Sequence, residues 1–540
     1  MAPTDETYDV IVLGSGIGGL SAALAAHEHG LRPILIEKAD RIGGTTTDSY
    51  GLIWVGDNHL MRQAGQSDTR DDIVRYMTFL GGGELSEERM LTLVDRSPEA
   101  ISFYESCGIP FRLIGGLVDH YFGVAEGACG PGRTLEAELI SGFELGDWRD
   151  KVRTPKDAPY FVTAAEQYAW GGINRYSAWD QDLVRDRRAK DMRGKGVGLV
   201  THFVKLLLAR GVPIRLSSAT DGLTVEDARV TGVRMADGTT LSARNGVVLA
   251  TGGYEWNAEL MRDFDPIPRL QPLSPPSSTG DGLIMGAEIG AAIRRIQNNL
   301  NLMLGFYLVP DEPSAEPIQC MAGISEMCSP HTIVVNKAGQ RFADESYFQS
   351  VVPALRRFDT LKHDYANLPC FLIFDRQFLS SYALAHLPIG TDAPESVARA
   401  DTLPELAGKL GIDAACLEQT VQRFNRFAAA GHDEDFQRGE LRWRLADRSA
   451  EGRRNPSLGS LDQPPFYGLE LRPSLGTTSA GLLADANGQV LHQRRHPIPG
   501  LYASGVVAVR NELGAGYQAG LNLASAMTFS LLAVRHMRGQ

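Results

Sequence analysis

YDVIVLGSGIGGLSAALAAHEHGLRPILIEKA, residues 8–39, decides the fold. An apolar run without alternation, VIVLG, reads as a strand buried on both faces, as in a parallel sheet. The Ala-rich segment after it reads as a helix whose small side chains let it lie close to that sheet, ending at Gly30. RPILIEKA supplies the second strand, so the unit is βαβ. Gly14, Gly16 and Gly19 stand between strand and helix in the spacing GxGxxG. That spacing gives a tight turn, close backbone approach to a pyrophosphate, and phosphate at a helix N-terminus. Glu37 closes the second strand, where a carboxylate accepts hydrogen bonds from ribose hydroxyls. The reading is a dinucleotide site in a doubly wound α/β sheet.

Working outward, VTHFVKLLLARGVPIRLSSA (200–219) repeats the order helix, turn, strand, and residues 220–253 supply a β-meander with DG and NG turns and a returning strand. That strand closes on Gly252 and Gly253, at the carboxyl end where such sheets present ligands. Residues 287–464 change character, with mixed short elements and helical stretches such as 401–431 that carry no nucleotide motif. The chain is past the roughly 250–300 residues at which one core stops growing. We therefore expect a Rossmann-like nucleotide-binding domain (doubly wound parallel sheet plus meander) formed by 1–286 and 465–540, with an α+β catalytic cap, 287–464, inserted.

Two further segments select the nucleotide. KADRIGGTTTDSYGLIW (38–54) offers a second small-residue loop at Gly43, Gly44, Thr45 and Thr46. PGLYASG (499–505), with Gly505, is similar to the strand by which FAD-containing proteins contact the flavin chain. A helix starting near Leu521 and Asn522 would aim its positive end at the flavin pyrimidine ring. Both point to FAD.

Composition excludes other classes. A net charge of -12 with short basic runs argues against a nucleic-acid partner, so RDRRAK (185–190) and EGRRN (451–455) are read as solvated faces. The six cysteines are scattered without a CxxC pair, which argues against a metal site or redox dithiol and suits a reducing compartment. The acidic N-terminus is unlike a signal peptide, and no run reaches the ~18 apolar residues of a transmembrane helix. A cytoplasmic location is expected.

GSGIGGLSAALAA (14–26), EKADRIGGTT (37–46), VVLATGGYEWN (247–257), SSTGDGLIMGAEIGA (277–291), VVNKAGQRFADES (334–346), SLGTTSAGLLAD (474–485) and IPGLYASG (498–505) together resemble the fumarate reductase/succinate dehydrogenase flavoprotein superfamily. Within it the chain is most similar to the 3-ketosteroid Δ1-dehydrogenases. The resemblance implies non-covalent FAD, because the loop TTTDSYG lacks the histidine of covalent members. It also implies that Gly44 to Thr46 and Ser49 to Gly51 lie along the flavin, that Ala219 offers backbone to adenine, and that Asp281 sits near the ribityl chain. YQAGLN (517–522) puts Gln518 where fumarate reductases carry a proton-donating Arg, against dicarboxylate reduction. In the dehydrogenases this segment supplies a Tyr and a glycine amide to the ketone oxygen, which matches Tyr517 and Gly520, or Leu521 for the amide.

Tyr121 matches an active-site tyrosine, and the proton-abstracting tyrosine matches Tyr347, although family spacing falls nearer Gln349. A buried tyrosine acts as base only if its pKa of about 10 is lowered. The implied activity is desaturation of a cyclic ketone next to its carbonyl, of a 3-oxosteroid or a smaller ketone such as 4-oxocyclohexanecarboxylate. An enone or enoate reductase is the alternative. The electron acceptor, whether quinone, oxygen or an electron carrier, is left open. Arg510 is expected on a solvated loop, with a hold on a substrate carboxylate as the other reading.

Overall fold

Gly14 is the point on which the first sheet turns: a Cβ there would lie 2.3 Å from the Ala250 carbonyl oxygen, so only glycine lets the two strand ends meet. The structure, a computed structural model, describes residues 6–155, 159–172, 176, 179–299, 301–309, 311, 318–320, 326–385, 387–440 and 455–539. Glu6–Leu13 is central in the first sheet, parallel to Pro33–Ile36 on one side and Thr240–Leu249 on the other. Ile214–Arg215 and Pro497–Ala503 extend it in parallel, and Gln489–Leu491 closes one edge antiparallel. The meander, Thr220–Glu226 and Arg229–Met235, pairs antiparallel onto Thr240–Leu249.

The first helix, Ile17–Glu28, is buried from Ile17 to Ala26 and packs on the last helix, Leu521–Met537. A Cβ at Gly19 would fall 1.8 Å from the Gly14 carbonyl oxygen, so that glycine sets how closely helix and strand approach. Gly30 follows the helix with φ +75°. Of the expected turns, Asp237–Gly238 makes one, with the Gly238 N–H donating to Met235 O. Asn245–Gly246 does not. It stays inside Thr240–Leu249, near a register shift against the first strand, because Gly246 gives way to the backbone of Gly500.

A second sheet runs, in spatial order, Ile318–Cys320, Leu302–Leu308, Phe466–Leu475, Cys370–Asp375 and Thr332–Asn336. Gln271–Pro272 and Ala398–Ala400 also pair with Phe466–Leu475. Residues 466–475, placed by sequence in the returning nucleotide segment, thus hydrogen-bond in the second sheet, and 271–272 reach it from the first segment. The helices Leu403–Leu410 and Ala414–Ala430 cover this sheet, each started by a side-chain cap, Thr402 and Asp413, and each ended by a left-handed glycine, Gly411 and Gly431.

In the basic run 185–190, Arg185 and Lys190 are exposed, but Arg187 turns inward to pair with Glu166. Residues 451–454 of the second run lie outside the described residues. No described helix is long and apolar enough to cross a membrane.

Candidate active site

Where three strands end at Leu13, Ile36 and Leu249, a cavity of about 680 Å³ opens. Its first wall is the glycine turn. The first helix starts at Gly16 without a side-chain cap of its own, and Thr46 Oγ1, from the second small-residue loop, accepts from Ile17 N at 3.0 Å. A Cβ on Gly16 would meet nothing nearer than that oxygen, at 3.6 Å, so backbone there faces open space. Glu37 lines the same wall, its Oε2 accepting from Ser15 N and Oγ at 2.9 and 2.6 Å. Asp281 lines it too and is paired with Lys38 at 2.7 Å. The buried oxygens Thr251 Oγ1 and Glu255 Oε2 have no hydrogen-bond partner among the described residues, and burial lifts the Glu255 carboxyl to about 7. Such a wall suits a polar ligand.

Gly44, Thr45, Ser49, Gly51, Gly252, Gly505, Gly520 and Asn522 also line the cavity. Gly19, Leu521 and Ala219 do not. Gly19 serves packing, Leu521 begins the last helix just behind Gly520, and Ala219 O already accepts from Ala236 N while Ser218 and Thr220 reach the cavity beside it. The last helix likewise starts without a side-chain cap, at Gly520 with φ +93°. A Cβ there would sit 2.6 Å from Trp54 N. The helix's positive end therefore opens on the cavity.

Aromatic residues build the opposite end. The Tyr517 ring meets His120 edge-on at 5.1 Å and Phe348 at 5.3 Å. Burial pushes the Tyr517 phenol up to about 12, which keeps it a donor at neutral pH. The His120 imidazole is pushed down to about 3, hence neutral, and its Nδ1 faces Gln349 Nε2 at 2.7 Å. Gln518 is a latch: its Oε1 accepts from Tyr76 Oη and, at 2.8 Å, from His120 N. Tyr121 and Tyr347 are buried and not among the lining residues, their rings in an edge contact at 6.0 Å.

The lowered tyrosine pKa expected from sequence is not found. Burial pushes Tyr121 up to about 12 and Tyr347 higher still, where Tyr121 and Asp344 add to the effect. Arg510 also differs from expectation. It is 6% exposed, and its guanidinium donates to Asn299 Oδ1 at 2.7 Å and Asn522 Oδ1 at 3.3 Å, so it stands on no solvated loop. His120, Gln167 and Lys195 escaped the sequence reading, which met Gln349 only as a spacing match and Tyr50 only within the flavin loop. Tyr50 and Gln167 line the cavity, with Lys195 behind them.

A family profile described as an FAD binding domain matches residues 9–524. The chain belongs to this FAD-binding family. It is 35% identical over 550 residues, covering 99% of this chain and 93% of the relative, to 4-oxocyclohexanecarboxylate 2-dehydrogenase of Sinomonas cyclohexanicum. It is 31% identical over 577 residues, 99% of both chains, to 3-oxosteroid 1-dehydrogenase of Mycobacterium tuberculosis. Among solved structures, the 3-ketosteroid delta1-dehydrogenase of Sterolibacterium denitrificans, in complex with 1,4-androstadiene-3,17-dione, superimposes with a TM-score of 0.88 at 29% identity, covering 99% of this chain and 100% of that one.

The glycine turn, the uncapped start of the last helix and the orphaned wall oxygens all fit the FAD of this family. A division of labour among the glycines follows. Gly16→Ala has room for its methyl and is expected to fold as wild type while weakening FAD binding by about tenfold or more, because the methyl occupies the approach to the pyrophosphate. Gly19→Ala drives its methyl into the Gly14 carbonyl and is expected to lose the fold itself. Flavin titration together with thermal unfolding of the apoprotein separates the two.

Proposed function

We propose that this flavoprotein desaturates a cyclic ketone next to its carbonyl, with a 3-oxosteroid or a cyclohexanone-type ketone such as 4-oxocyclohexanecarboxylate as substrate. The first sheet and its helices carry the cofactor on this reading, and the second sheet caps the substrate. One observation carries it: the Tyr517 phenol and the uncapped start of the last helix face one cavity with the glycine turn. The Tyr517 hydroxyl, with the backbone N–H of Gly520, donates to the ketone oxygen and so acidifies the neighbouring C–H, the Leu521 N–H being already bonded to Gln518 O. Tyr347, in edge contact with Tyr121 just outside the lining, is the base this reading assigns, and because burial raises its phenol it takes that proton only in its scarce ionised form, which grows with pH. The hydrogen on the next carbon departs with its electron pair, and the carbon–carbon double bond forms. Bound FAD supplies the acceptor for that hydride. A quinone, oxygen or an electron carrier then removes the two electrons.

The reductase alternative lacks its proton donor, since Lys38 is the one Lys or Arg among the described lining residues and it is paired with Asp281. Product analysis tests the reading. Incubation with each ketone and a redox dye should yield an enone lighter by two hydrogens, and recovery of unchanged ketone in every case would reject it.

A further inference from the structure

Lys195 begins the helix Lys195–Ala209 with φ +54°, in the left-handed region that a lysine seldom occupies. It is 5% exposed. The backbone that follows it is tied to the flavin-side loop, Gly196 N donating to Ser49 O at 3.2 Å. No ion pair reaches its amine within 4 Å among the described residues. The neighbouring carboxylate, Glu136, accepts from Ala164 N at 2.6 Å and Ala165 N at 3.2 Å, the start of the helix that carries Gln167. A backbone strain and a buried amine are held together at one point beside the cavity, where strain tends to be stored for function.

The amine's bonding fixes what lies in front of it. Burial lowers the Lys195 amine to about 7, and below that pH it is an ammonium with donors only, so the atom of Gln167 it then meets is Oε1 and the amide's Nε2 turns the other way. Nε2 donates to Tyr50 Oη at 2.9 Å. The Tyr50 oxygen is thereby the acceptor of that bond, and its hydroxyl hydrogen is directed elsewhere. Lys195 Nζ also stands 4.8 Å from the Tyr50 ring centroid. Tyr50 is among the groups whose charge would hold the Tyr517 phenol protonated, so the two phenols share one end of the cavity.

We propose that Tyr50 is a second hydrogen-bond donor to the oxygen of the reacting ketone, and that Lys195, acting through Gln167, strengthens this donation as negative charge gathers on that oxygen. The proposal rests on the ketone reading above. Tyr50 touches substrate, whereas Lys195 and Gln167 are positioning residues. The chain Lys195 to Gln167 to Tyr50 polarises cooperatively, and it delivers part of a buried positive charge to the enolate without placing a cation in the cavity.

4-Nitrophenol added to the FAD-loaded enzyme tests the chain without turnover, because its anion presents a charged oxygen on a ring as the enolate does. Lys195→Met, Gln167→Leu and Tyr50→Phe are each expected to weaken binding of the anion tenfold or more, read by difference spectra at equal FAD content. In turnover, Lys195→Met should lower kcat alike for cyclohexanone and for 4-oxocyclohexanecarboxylate, with little change in KM. Should Lys195→Met fail to fold, Gln167→Leu keeps the cation and cuts the same link. Unchanged affinity in the variants, no binding to wild type, or a KM defect confined to the carboxylated ketone would overturn the proposal. The last would mean that Lys195 holds a substrate carboxylate instead. Lysine-dependent binding in an enzyme that desaturates none of the ketones would refute the ketone reading and leave the donor array standing.

Discussion

Tyr517→Phe is expected to lower kcat by about 10²–10³-fold, the usual loss of one donor to a developing oxyanion, while FAD content and folding stay as in wild type. His120 and Phe348 grip the ring edge-on, and a phenyl ring fills the same space. What the substitution removes is the hydroxyl, which burial keeps protonated through the neutral range. Its bond to the ketone is weak in the ground state and strengthens as the oxygen gains charge, so the loss falls on kcat more than on KM. A rise in KM with unchanged kcat would place Tyr517 in binding alone.

Tyr347→Phe is expected to cost about 10²–10⁴-fold, the range for a general base, and to change the pH profile. Burial, Tyr121 and Asp344 all raise the Tyr347 pKa. The phenolate fraction therefore grows as pH rises, and wild-type kcat/KM should climb by about tenfold per pH unit across the neutral range rather than level off. The residual activity of Tyr347→Phe should lack that climb. Exchange of the ketone's α-hydrogens with deuterated solvent, followed in enzyme whose flavin is already reduced, isolates the proton step. Wild-type rates of exchange in Tyr347→Phe would move the base elsewhere, with His120 the neutral nitrogen heterocycle that lines the cavity.

The parts legible in sequence are those whose constraint is local. Gly14, Gly16 and Gly19 lie within six residues; Gly14 and Gly19 answer steric demands of the chain itself, and Gly16 keeps the face toward the cavity open. The helix at Leu521 announces itself by the glycine before it and the apolar run after it. Tyr517 is legible through the resemblance that the segment 517–522 carries, not through spacing alone. Contacts between distant segments left no such trace. Gln349 reaches His120 across 229 positions, Arg510 reaches Asn299 across 211, and Lys195 reaches Gln167 across 28.

Arg510, expected on a solvated loop, is buried. Its actual partners are asparagine oxygens, which sequence patterns do not single out. The strand Phe466–Leu475 was assigned by position in the chain, yet its partners are the strands of the second sheet, and an apolar run does not say which sheet it joins. The tyrosine pKa values also differed from expectation for a spatial reason. Burial pushes both phenols up, and at Tyr347 the neighbouring Tyr121 and Asp344 add to it.

The most direct test of ketone desaturation is anaerobic: the flavin absorbance of the purified enzyme is followed as a 3-oxosteroid, then cyclohexanone, then 4-oxocyclohexanecarboxylate is added. Rapid bleaching by at least one of these ketones, with the matching enone formed in equal amount, is the result expected here. An oxidised flavin that none of them bleaches, together with reoxidation of the pre-reduced enzyme by an enone or by fumarate, would contradict it.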